Sequence, residues 1–269
     1  MGISASRVFH VNVNCSDLDR SVAFYRDRLG LVPSARTRPL APQPGRAFAL
    51  EQAQWDAFMM TGGHGGPGPV VDLLEWKVPP PTGRPHESTV ALGFSRLLVS
   101  SPGADTSGVL TDPDGTLVQI DPGERTGVAG AVIGCSDLDR ATAFFTQVVG
   151  FEPDETGPGR IAVAGAARGK AARLRDRVGR FAVELVEWRR PASIPAPYPV
   201  ANHLGMYRMA LMTDDIDADY DELRAHGVRC VSAPTDLDMG PGLPTLRALL
   251  FADPDGTVLE LIETPDLQA

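Results

Sequence analysis

The sequence predicts an α+β fold in which one small strand-and-helix unit has been duplicated. Three phrases each occur twice in the chain: Cys-Ser-Asp-Leu-Asp-Arg at 15–20 and 135–140, Leu-Glu-Trp or Val-Glu-Trp at 74–76 and 186–188, and Asp-Pro-Asp-Gly-Thr at 112–116 and 253–257. Each hexapeptide follows an apolar stretch and opens an amphipathic segment. Repeats at a long, constant spacing indicate homologous units within one chain.

The length of the chain agrees with this division. A chain of 269 residues suggests two domains at about 100–200 residues each. We predict an N-terminal domain over 7–122 and a C-terminal domain over 127–264. The Gly- and Pro-containing stretch around 121–127 is the predicted linker.

Composition excludes several classes of partner. The hydrophobic fraction of 43% and the charged fraction of 22% are typical of soluble globular proteins. A net charge of −9 argues against binding to nucleic acid or to an anionic membrane surface, because both need clustered Lys and Arg. No apolar run approaches the ~20 residues of a membrane span, and no signal peptide is visible. Three widely spaced cysteines fit a reducing cytoplasm, where we expect them to be buried structural residues.

The first quarter of the chain predicts the order strand, helix and three further strands. Residues 7–14 alternate, so that one face is apolar and the opposite face carries His10, Asn12 and Asn14. Ser16 or Asp17 caps a helix that Gly30 ends. Shorter strands follow, near 47–50, 57–60 and 70–76, with a Gly-rich hairpin turn at 62–66.

The other three quarters repeat this order with one loss. In the second quarter, strands at 93–99 and 117–120 flank a Ser-Pro-Gly stretch at 101–105 where a helix is expected, so this module is trimmed. The third quarter, 128–190, repeats the first. The fourth has a strand at 205–213, a helix capped by Asp214 or Asp215, and strands near 228–231, 247–251 and 258–262. The sequence thus predicts four β-α-β-β-β modules.

These motifs together resemble the vicinal oxygen chelate superfamily. They are the Asp-Leu-Asp-Arg helix start, a strand ending in Glu-Leu-x-Glu-Trp, and the closing Asp-Pro-Asp-Gly-Thr-x-x-Glu-Leu. That superfamily includes glyoxalase I, bleomycin-resistance proteins and extradiol dioxygenases. The resemblance implies tandem glyoxalase-like domains whose sheets curl into open cups. It also implies a divalent metal, Zn, Fe, Mn or Ni, bound by His, Glu or Gln, His and Glu.

The resemblance places these ligand positions on the present chain one at a time. The first His falls on His10 in the first module and on Gly130 in the third. The first Glu falls on Asp72 and Glu184, with Glu75 and Glu187 as the fallback if the strand register is shifted by one face. The second His falls on Arg96 and Arg208. The last Glu falls on Gln119 and Glu260.

No half of the chain keeps a complete ligand set under this assignment. If modules pair within each half, the sets are incomplete in both. If the outer modules pair with each other and the inner modules do the same, His10, Asp72 and Glu260 share one cup with Arg208. One imidazole and two carboxylates can hold a divalent metal with open positions. The competing interpretation is that Arg208 is the ion-pair partner of a buried Glu260.

Other side chains are candidates for substrate contact. Arginine cannot ligate a metal but binds carboxylates and phosphates, so Arg96 and Arg208 are candidate substrate-binding residues. Asn12 shares the polar face with His10. Trp55, Trp76 and Trp188 can stack on a flat ligand. The matched strand-end positions of Trp76 and Trp188 favour packing in the core or between domains instead.

The leading functional prediction is a glyoxalase-like lyase or isomerase acting on a small molecule, with Glu260 or Glu184 moving the proton. Dioxygenase chemistry is less favoured, because an extradiol iron site requires two imidazoles. The alternative is a metal-free protein that sequesters an antibiotic or metabolite, as bleomycin-resistance proteins do. A purely structural scaffold is a third interpretation. We expect a monomer or a homodimer in the cytoplasm.

Overall fold

The computed structural model describes residues 2–5, 7–62, 68–154, 161–164 (backbone only), 167–192 and 196–263. Its helices are α1 (Leu18–Leu29), α2 (Leu138–Ala143) and α3 (Ile216–Ala225). Its strands in the first half are β1 (Arg7–Asn14), β2 (Leu31–Thr37), β3 (Gln43–Pro44), β4 (Gln52–Gly62), β5 (Val70–Val78), β6 (Gly93–Ser101), β7 (Gly108–Thr111) and β8 (Leu117–Pro122). Those of the second half are β9 (Gly127–Gly134), β10 (Glu152–Pro153), β11 (Ile161–Ala164), β12 (Ala167–Arg175), β13 (Ala182–Arg190), β14 (Gly205–Met212), β15 (Thr235–Leu237), β16 (Leu246–Ala252) and β17 (Val258–Glu263).

Local sequence determines where the repeated helices begin and end. The Asp17 carboxylate accepts a hydrogen bond from the Arg20 backbone N–H at 3.0 Å and so caps α1. Gly30 ends α1 with φ +71°, a conformation that a glycine adopts without strain. Asp137 caps α2 in the same way. After α2 the chain continues as a π-helical segment, Phe144–Val149.

The strands form two sheets, and each sheet takes one module from each half of the chain. The outer sheet has the order β15-β16-β17-β14-β1-β5-β4-β2, with β3 paired to β4. The inner sheet has the order β10-β12-β13-β9-β6-β8-β7, with β11 paired to β12. The first module therefore pairs with the fourth and the second with the third. This is the second of the two arrangements that the sequence left open.

The core explains why each first strand has one apolar face. The largest buried cluster draws on both sheets and contains Val11 and Val13 of β1 together with Leu97 and Val99 of β6. Burying apolar surface between sheets is the main favourable term in such packing. The polar face of β1 consequently points away from this core, into the concave side of the outer sheet.

Two predicted strands are absent, and one predicted loss is confirmed. Residues 46–48 form a short 3-10 turn instead of a strand over 47–50, because Phe48 N–H bonds back to Gly45. In place of a strand at 228–231 there is a single bridge between Cys230 and Phe251. Short apolar runs do not distinguish these conformations. No helix lies between β6 and β8, so the second module is trimmed, as predicted.

Two further expectations concern loops and membranes. Most of the Gly-rich loop at 62–66 lies outside the described residues. Among the described helices, none has both the length and the apolar character needed to cross a lipid bilayer.

The two Asp-Pro-Asp-Gly-Thr turns have the same backbone but different surroundings. In the first, the Asp112 carboxylate accepts from the Asp114 and Thr116 backbone N–H groups through one oxygen. Its other oxygen accepts from the Tyr25 hydroxyl at 3.3 Å. The phenol of α1 thus completes the hydrogen bonding of a buried carboxylate.

The second turn lacks that hydroxyl. Asp253 makes the same two backbone contacts through Oδ1, but its Oδ2 has no hydrogen-bond partner among the described residues. The repeat places Phe145 where the first copy has Tyr25. Burial raises the pKa of Asp253 to about 6, although the backbone hydrogen bonds act in the opposite direction.

We predict that Phe145→Tyr stabilises the protein at neutral pH by supplying the missing donor. Folding raises the pKa of Asp253 above its unfolded value of about 4, so its stabilising contribution is complete below pH 4 and is lost as pH rises through 6. This loss is on the order of 2–3 kcal/mol at 1.36 kcal/mol per pKa unit. In urea unfolding of Phe145→Tyr, the free energy of unfolding should fall by less between pH 4 and pH 8 than it does in the wild type.

The matched control is Tyr25→Phe, which creates the same defect at Asp112. It should lower the free energy of unfolding more at pH 8 than at pH 4. If Phe145→Tyr leaves the pH dependence unchanged, the lack of a hydroxyl donor does not contribute to the raised pKa of Asp253.

Candidate functional site

Four charged or titratable side chains meet at the centre of the outer sheet. They are His10 on β1, Asp72 on β5, Arg208 on β14 and Glu260 on β17, and their exposed fractions are only 3%, 2%, 4% and 2%. These four strands are consecutive neighbours in the sheet. The site therefore combines both halves of the chain.

Strand register explains how residues so distant in sequence come together. In the parallel pair β1–β5, Asn12 lies opposite Asp72. In the antiparallel pair β1–β14, His10 lies opposite Ala210, which in turn lies opposite Glu260 on β17. Side chains two residues apart share a face, so Arg208, two residues before Ala210, projects to the same side.

The guanidinium of Arg208 bridges the two carboxylates. Its Nε donates to Glu260 Oε2 at 2.8 Å, and its Nη2 donates to Asp72 Oδ2 at 3.1 Å. Asn12 Nδ2 donates to the same Asp72 oxygen at 3.2 Å. The guanidinium carbon also lies 5.5 Å from the centre of the Phe48 ring, in range for a cation–π contact. The predicted alternative, a buried Arg208–Glu260 ion pair, is present.

His10 lies beside this bridge with unused hydrogen-bonding capacity. Its Nε2 is 3.3 Å from Glu260 Oε2 and 3.8 Å from Asp72 Oδ2. Neither ring nitrogen has a directed hydrogen bond within the described part of the chain, and the same holds for Asp72 Oδ1, Asn12 Oδ1 and Arg208 Nη1. Buried polar atoms without partners are rare and point to a missing water or ligand.

Arg208 and the two carboxylates stabilise each other's charged forms. Burial opposes the ionisation of Glu260, but Arg208, and then His10, outweigh it and hold the pKa of Glu260 below its usual value. Burial likewise opposes the charge of Arg208, but Glu260 and Asp72 outweigh it and raise the pKa of Arg208. The two carboxylates and one guanidinium leave a formal charge of −1 around a buried imidazole.

A small cavity lies over the cluster. Its volume is about 30 Å³, and its wall is mostly apolar, with Phe9, Phe48, Trp55, Met59, Leu237 and Met239 among the lining residues. A cavity needs a volume of about 10–15 Å³, measured in this way, to hold one water molecule. The cavity therefore has room for only a few non-hydrogen atoms, and a larger ligand requires the side chains around it to move.

Two segments that contribute wall residues, 37–48 of the first module and 237–239 of the last, form what we call the cover of the cavity. Hydrogen bonds join these two segments. The Gln43 side chain donates to the Asp238 carbonyl and accepts from the Asp238 backbone N–H, each at 2.9 Å. The Arg38 N–H donates to the Met239 carbonyl at 2.9 Å. Phe48, Leu237 and Met239 also pack in one buried apolar cluster, so a larger ligand can enter only if these side chains move apart.

The donors of the cup do not fit a divalent metal in their present arrangement. The described residues contain no group of three His, Cys, Asp or Glu side chains that could hold a metal ion. The oxygens of Asp72 and Glu260 that face His10 are both bonded to the guanidinium. A metal would have to take these oxygens from Arg208, which occupies the position where the resemblance places a second imidazole.

The fallback residues of the first carboxylate position lie elsewhere. Glu75 Oε2 accepts from the Leu18 N–H at 3.1 Å, and Glu187 Oε2 accepts from the Leu138 N–H at 3.1 Å. Both carboxylates therefore cap the N-termini of helices, where negative charge is favoured. Asp72 and Glu184 are the residues that face the cups.

The inner sheet contains the equivalent site, but with fewer of the side chains that could bind a metal. Arg96 donates to Gln119 at 3.0 Å, and Glu184 accepts from Arg173 at 3.1 Å. Gly130 stands where the outer sheet has His10, so this cup has no imidazole at that position. The predicted residues Arg96 and Glu184 are thus not brought together with His10 and Glu260.

The tryptophans named from sequence are packing residues in this structure. Trp76 is 1% exposed, donates its indole N–H to Asn14 Oδ1 at 3.0 Å, and packs against Phe48. Trp188 is 3% exposed and lies in a small apolar cluster with Leu98 and Val132. The cavity is instead lined by Trp55, the third tryptophan that the sequence offers for stacking on a ligand. It shares one face of the strand Gln52–Gly62 with Met59.

Two of the three cysteines match the expectation of buried structural residues, whereas Cys230 is only partly buried. Cys15 and Cys135 are buried, and burial raises the pKa of both thiols, that of Cys135 to about 12. Thiols with such raised pKa values are poor nucleophiles.

We predict that Arg208→Gln destabilises the protein by about 3–5 kcal/mol, because it leaves two buried carboxylates without their cation. Folding with Arg208 present lowers the Glu260 pKa, so this stabilisation is present above the unfolded pKa and is lost as pH falls through the folded value. The deficit of the variant should therefore be largest near pH 7 and should shrink below about pH 4. Urea unfolding at several pH values measures it.

Arg96→Gln is the matched control in the inner sheet. Arg96 donates to the neutral amide of Gln119, and the Glu184 and Asp121 carboxylates also favour its charge. Because it is less buried than Arg208, its loss should cost less than that of Arg208. Equal losses in the two variants would show that the bridge of Arg208 has no special role.

Comparison with known proteins agrees with this architecture. The model of the Glyoxalase/Bleomycin resistance protein/Dioxygenase superfamily matches residues 7–99 and 127–261. A 2-epi-5-epi-valiolone epimerase from Actinomyces sp is 34% identical over 140 residues, which are 48% of this chain and 74% of the epimerase.

Solved structures show the same fold at low sequence identity. Glyoxalase I from Zea mays is 15% identical with a TM-score of 0.66, over 96% of this chain and 92% of that chain. A putative dioxygenase from Bacillus subtilis is 14% identical with a TM-score of 0.64, over 98% and 87%. The repeats, the two curled sheets and the family match together show that this chain belongs to the Glyoxalase/Bleomycin resistance protein/Dioxygenase superfamily.

Proposed function

We propose that this protein is an isomerase- or lyase-type enzyme that moves a proton next to the carbonyl group of a small molecule, and that the outer cup is its active site. The observation that carries the proposal is the buried imidazole of His10 beside the ionised Glu260 and a fixed guanidinium. Perturbed, buried titratable groups at a cavity are the usual mark of a catalytic site.

The groups of the cup divide the chemistry between them. His10 and Glu260, 3.3 Å apart, form the pair that accepts a proton from the substrate carbon and returns it to the product. Arg208 Nη1 has no partner among the described residues and donates to the substrate oxygen, where negative charge develops as the carbon loses its proton. The proton and the electron pair both return to carbon, so no external oxidant or reductant is needed.

Glu260 is the better candidate for the catalytic carboxylate than Glu184. It contacts the imidazole, whereas Glu184 lies in the inner sheet and pairs with Arg173. Asn12 assists indirectly, because its amide holds the Asp72 oxygen that anchors Arg208.

The named relative supports reactions of this class. An epimerase changes the configuration of one carbon, and proton removal and return achieve that change when the carbon lies next to a carbonyl. The relative aligns over 140 residues at 34% identity, so the similarity supports the reaction type better than the substrate.

A second candidate function is metal-free sequestration of an antibiotic or metabolite. The apolar wall of Phe48, Trp55, Met59 and Met239 favours it, because such side chains bind flat apolar molecules without reacting with them. Under either function we propose a small-molecule ligand and a cytoplasmic protein, with one site per chain.

We predict that the enzyme exchanges carbon-bound hydrogen for deuterium. Small hydroxyketones and cyclic ketones are incubated with the protein in D₂O, and loss of the proton next to the carbonyl is followed by NMR. Removing the general acid–base pair typically costs 10²–10⁴-fold in rate, so His10→Gln and Glu260→Gln should lose exchange to that extent. Glu184→Gln, the control in the inner cup, should keep it.

Two outcomes would contradict the proposal. Exchange that survives in His10→Gln would place the reaction elsewhere. Saturable quenching of tryptophan fluorescence by an apolar ligand, without exchange in any compound, would favour sequestration.

A further inference from the structure

We propose that the guanidinium of Arg208 is a built-in replacement for the divalent cation of this superfamily, so that the outer cup works without a metal. The electrostatic part of this inference depends only on the geometry of the cup. Its consequence for catalysis rests on the function proposed above.

The position of the guanidinium carries the inference. It lies between the carboxylates of Asp72 and Glu260 and bonds to one oxygen of each, at 3.1 and 2.8 Å. With His10, these are the side chains that the resemblance assigns to a metal. The planar guanidinium has five donors in a fixed geometry and can serve two carboxylates at once, as a metal ion does.

Charge makes the two cations mutually exclusive. The carboxylates and Arg208 sum to −1, and a divalent ion would bring the buried cluster to +1 with two cations a few ångströms apart. Like charges repel strongly at such distances in a site screened from water. The ion would also have to displace Arg208 from the oxygens, and at 4% exposure this side chain has little access to solvent.

The replacement changes what the site can bind. A metal with two open positions can hold two neighbouring substrate oxygens. Among the described residues, the unpartnered atoms left for the ligand are the donor Arg208 Nη1, the acceptors Asp72 Oδ1 and Asn12 Oδ1, and the ring nitrogens of His10. In a neutral imidazole one of these nitrogens donates and the other accepts. This arrangement suits one carbonyl oxygen and an adjacent hydroxyl group. The substrate class we infer is therefore a hydroxyketone bound through hydrogen bonds.

The test converts the arginine back into a metal ligand. Arg208→His would give the cup His10, Asp72, Glu260 and a second imidazole. Wild type and variant are stripped with chelator, incubated with Co²⁺ or Zn²⁺, desalted and analysed for metal content, and the visible spectrum of Co²⁺ reports on its ligands. We expect no stoichiometric metal in the wild type and one ion per chain in Arg208→His.

The duplication supplies a matched control. Arg96→His makes the same change in the inner cup, where Gly130 offers no imidazole, and this variant should bind no more metal than the wild type. Arg208→Gln provides a second measurement in case the histidine variant folds poorly. Zn²⁺ should raise its unfolding temperature, because His10 and two unpaired carboxylates remain, and should leave that of the wild type unchanged.

The results that would overturn the inference are specific. One equivalent of metal in the wild type that is lost in His10→Ala would show that Arg208 yields to a metal. Absence of metal in Arg208→His together with no effect of Zn²⁺ on Arg208→Gln would show that the guanidinium does not occupy a cation site. If the metal results are as expected but deuterium exchange is absent, the proposed function fails and this inference stands.

Discussion

The bridge from Arg208 to Asp72 and Glu260 is the interaction on which the organisation of the outer sheet depends. The three residues lie on β14, β5 and β17, so the bridge forms only when the first and last modules pair in one register. A buried ion pair adds little net stability compared with apolar packing, but breaking one is costly. The bridge therefore acts mainly against wrong pairings, since a register shift would leave buried charges unpaired.

The two copies of the ancestral unit have diverged unequally. The helix starts remain almost identical: Ser16 and Arg20 bond to Asp114 as Ser136 and Arg140 bond to Asp255. The two cups have diverged in composition, because the inner one has Gly130 in place of the imidazole and Gln119 in place of the last carboxylate. Features that hold the fold together are present in both copies, whereas only the outer cup, among the described residues, joins an imidazole to two carboxylates and a guanidinium. This contrast is what a protein with a single working site would show.

Local patterns allowed much of the fold to be predicted. The alternation in 7–14 identified the polar face of β1, and the repeats identified the capped helix α1 and its copy. The resemblance to the superfamily placed the first carboxylate on Asp72 and left Glu75 as the fallback, and in the structure Asp72 is the one that contacts Arg208. The ion pair of Arg208 was one of two interpretations that the sequence left open.

The remaining parts depend on contacts between distant segments. The 3-10 turn at Arg46–Phe48 lies in a very short apolar run. The cover depends on a contact between Gln43 and Asp238, which are almost 200 positions apart. Neither has a periodic signature. Phe48 was missed as a lining residue for the same reason, because it reaches the cavity through that turn.

The most direct test of the central interaction is a double-mutant cycle between Arg208 and Asp72, using glutamine and asparagine replacements and urea unfolding at pH 7. A direct bridge predicts that the double variant is more stable than the sum of the single losses implies, with a coupling free energy of about 1–3 kcal/mol. A coupling free energy near zero would contradict the account, because it would mean that the two side chains do not interact in the folded protein.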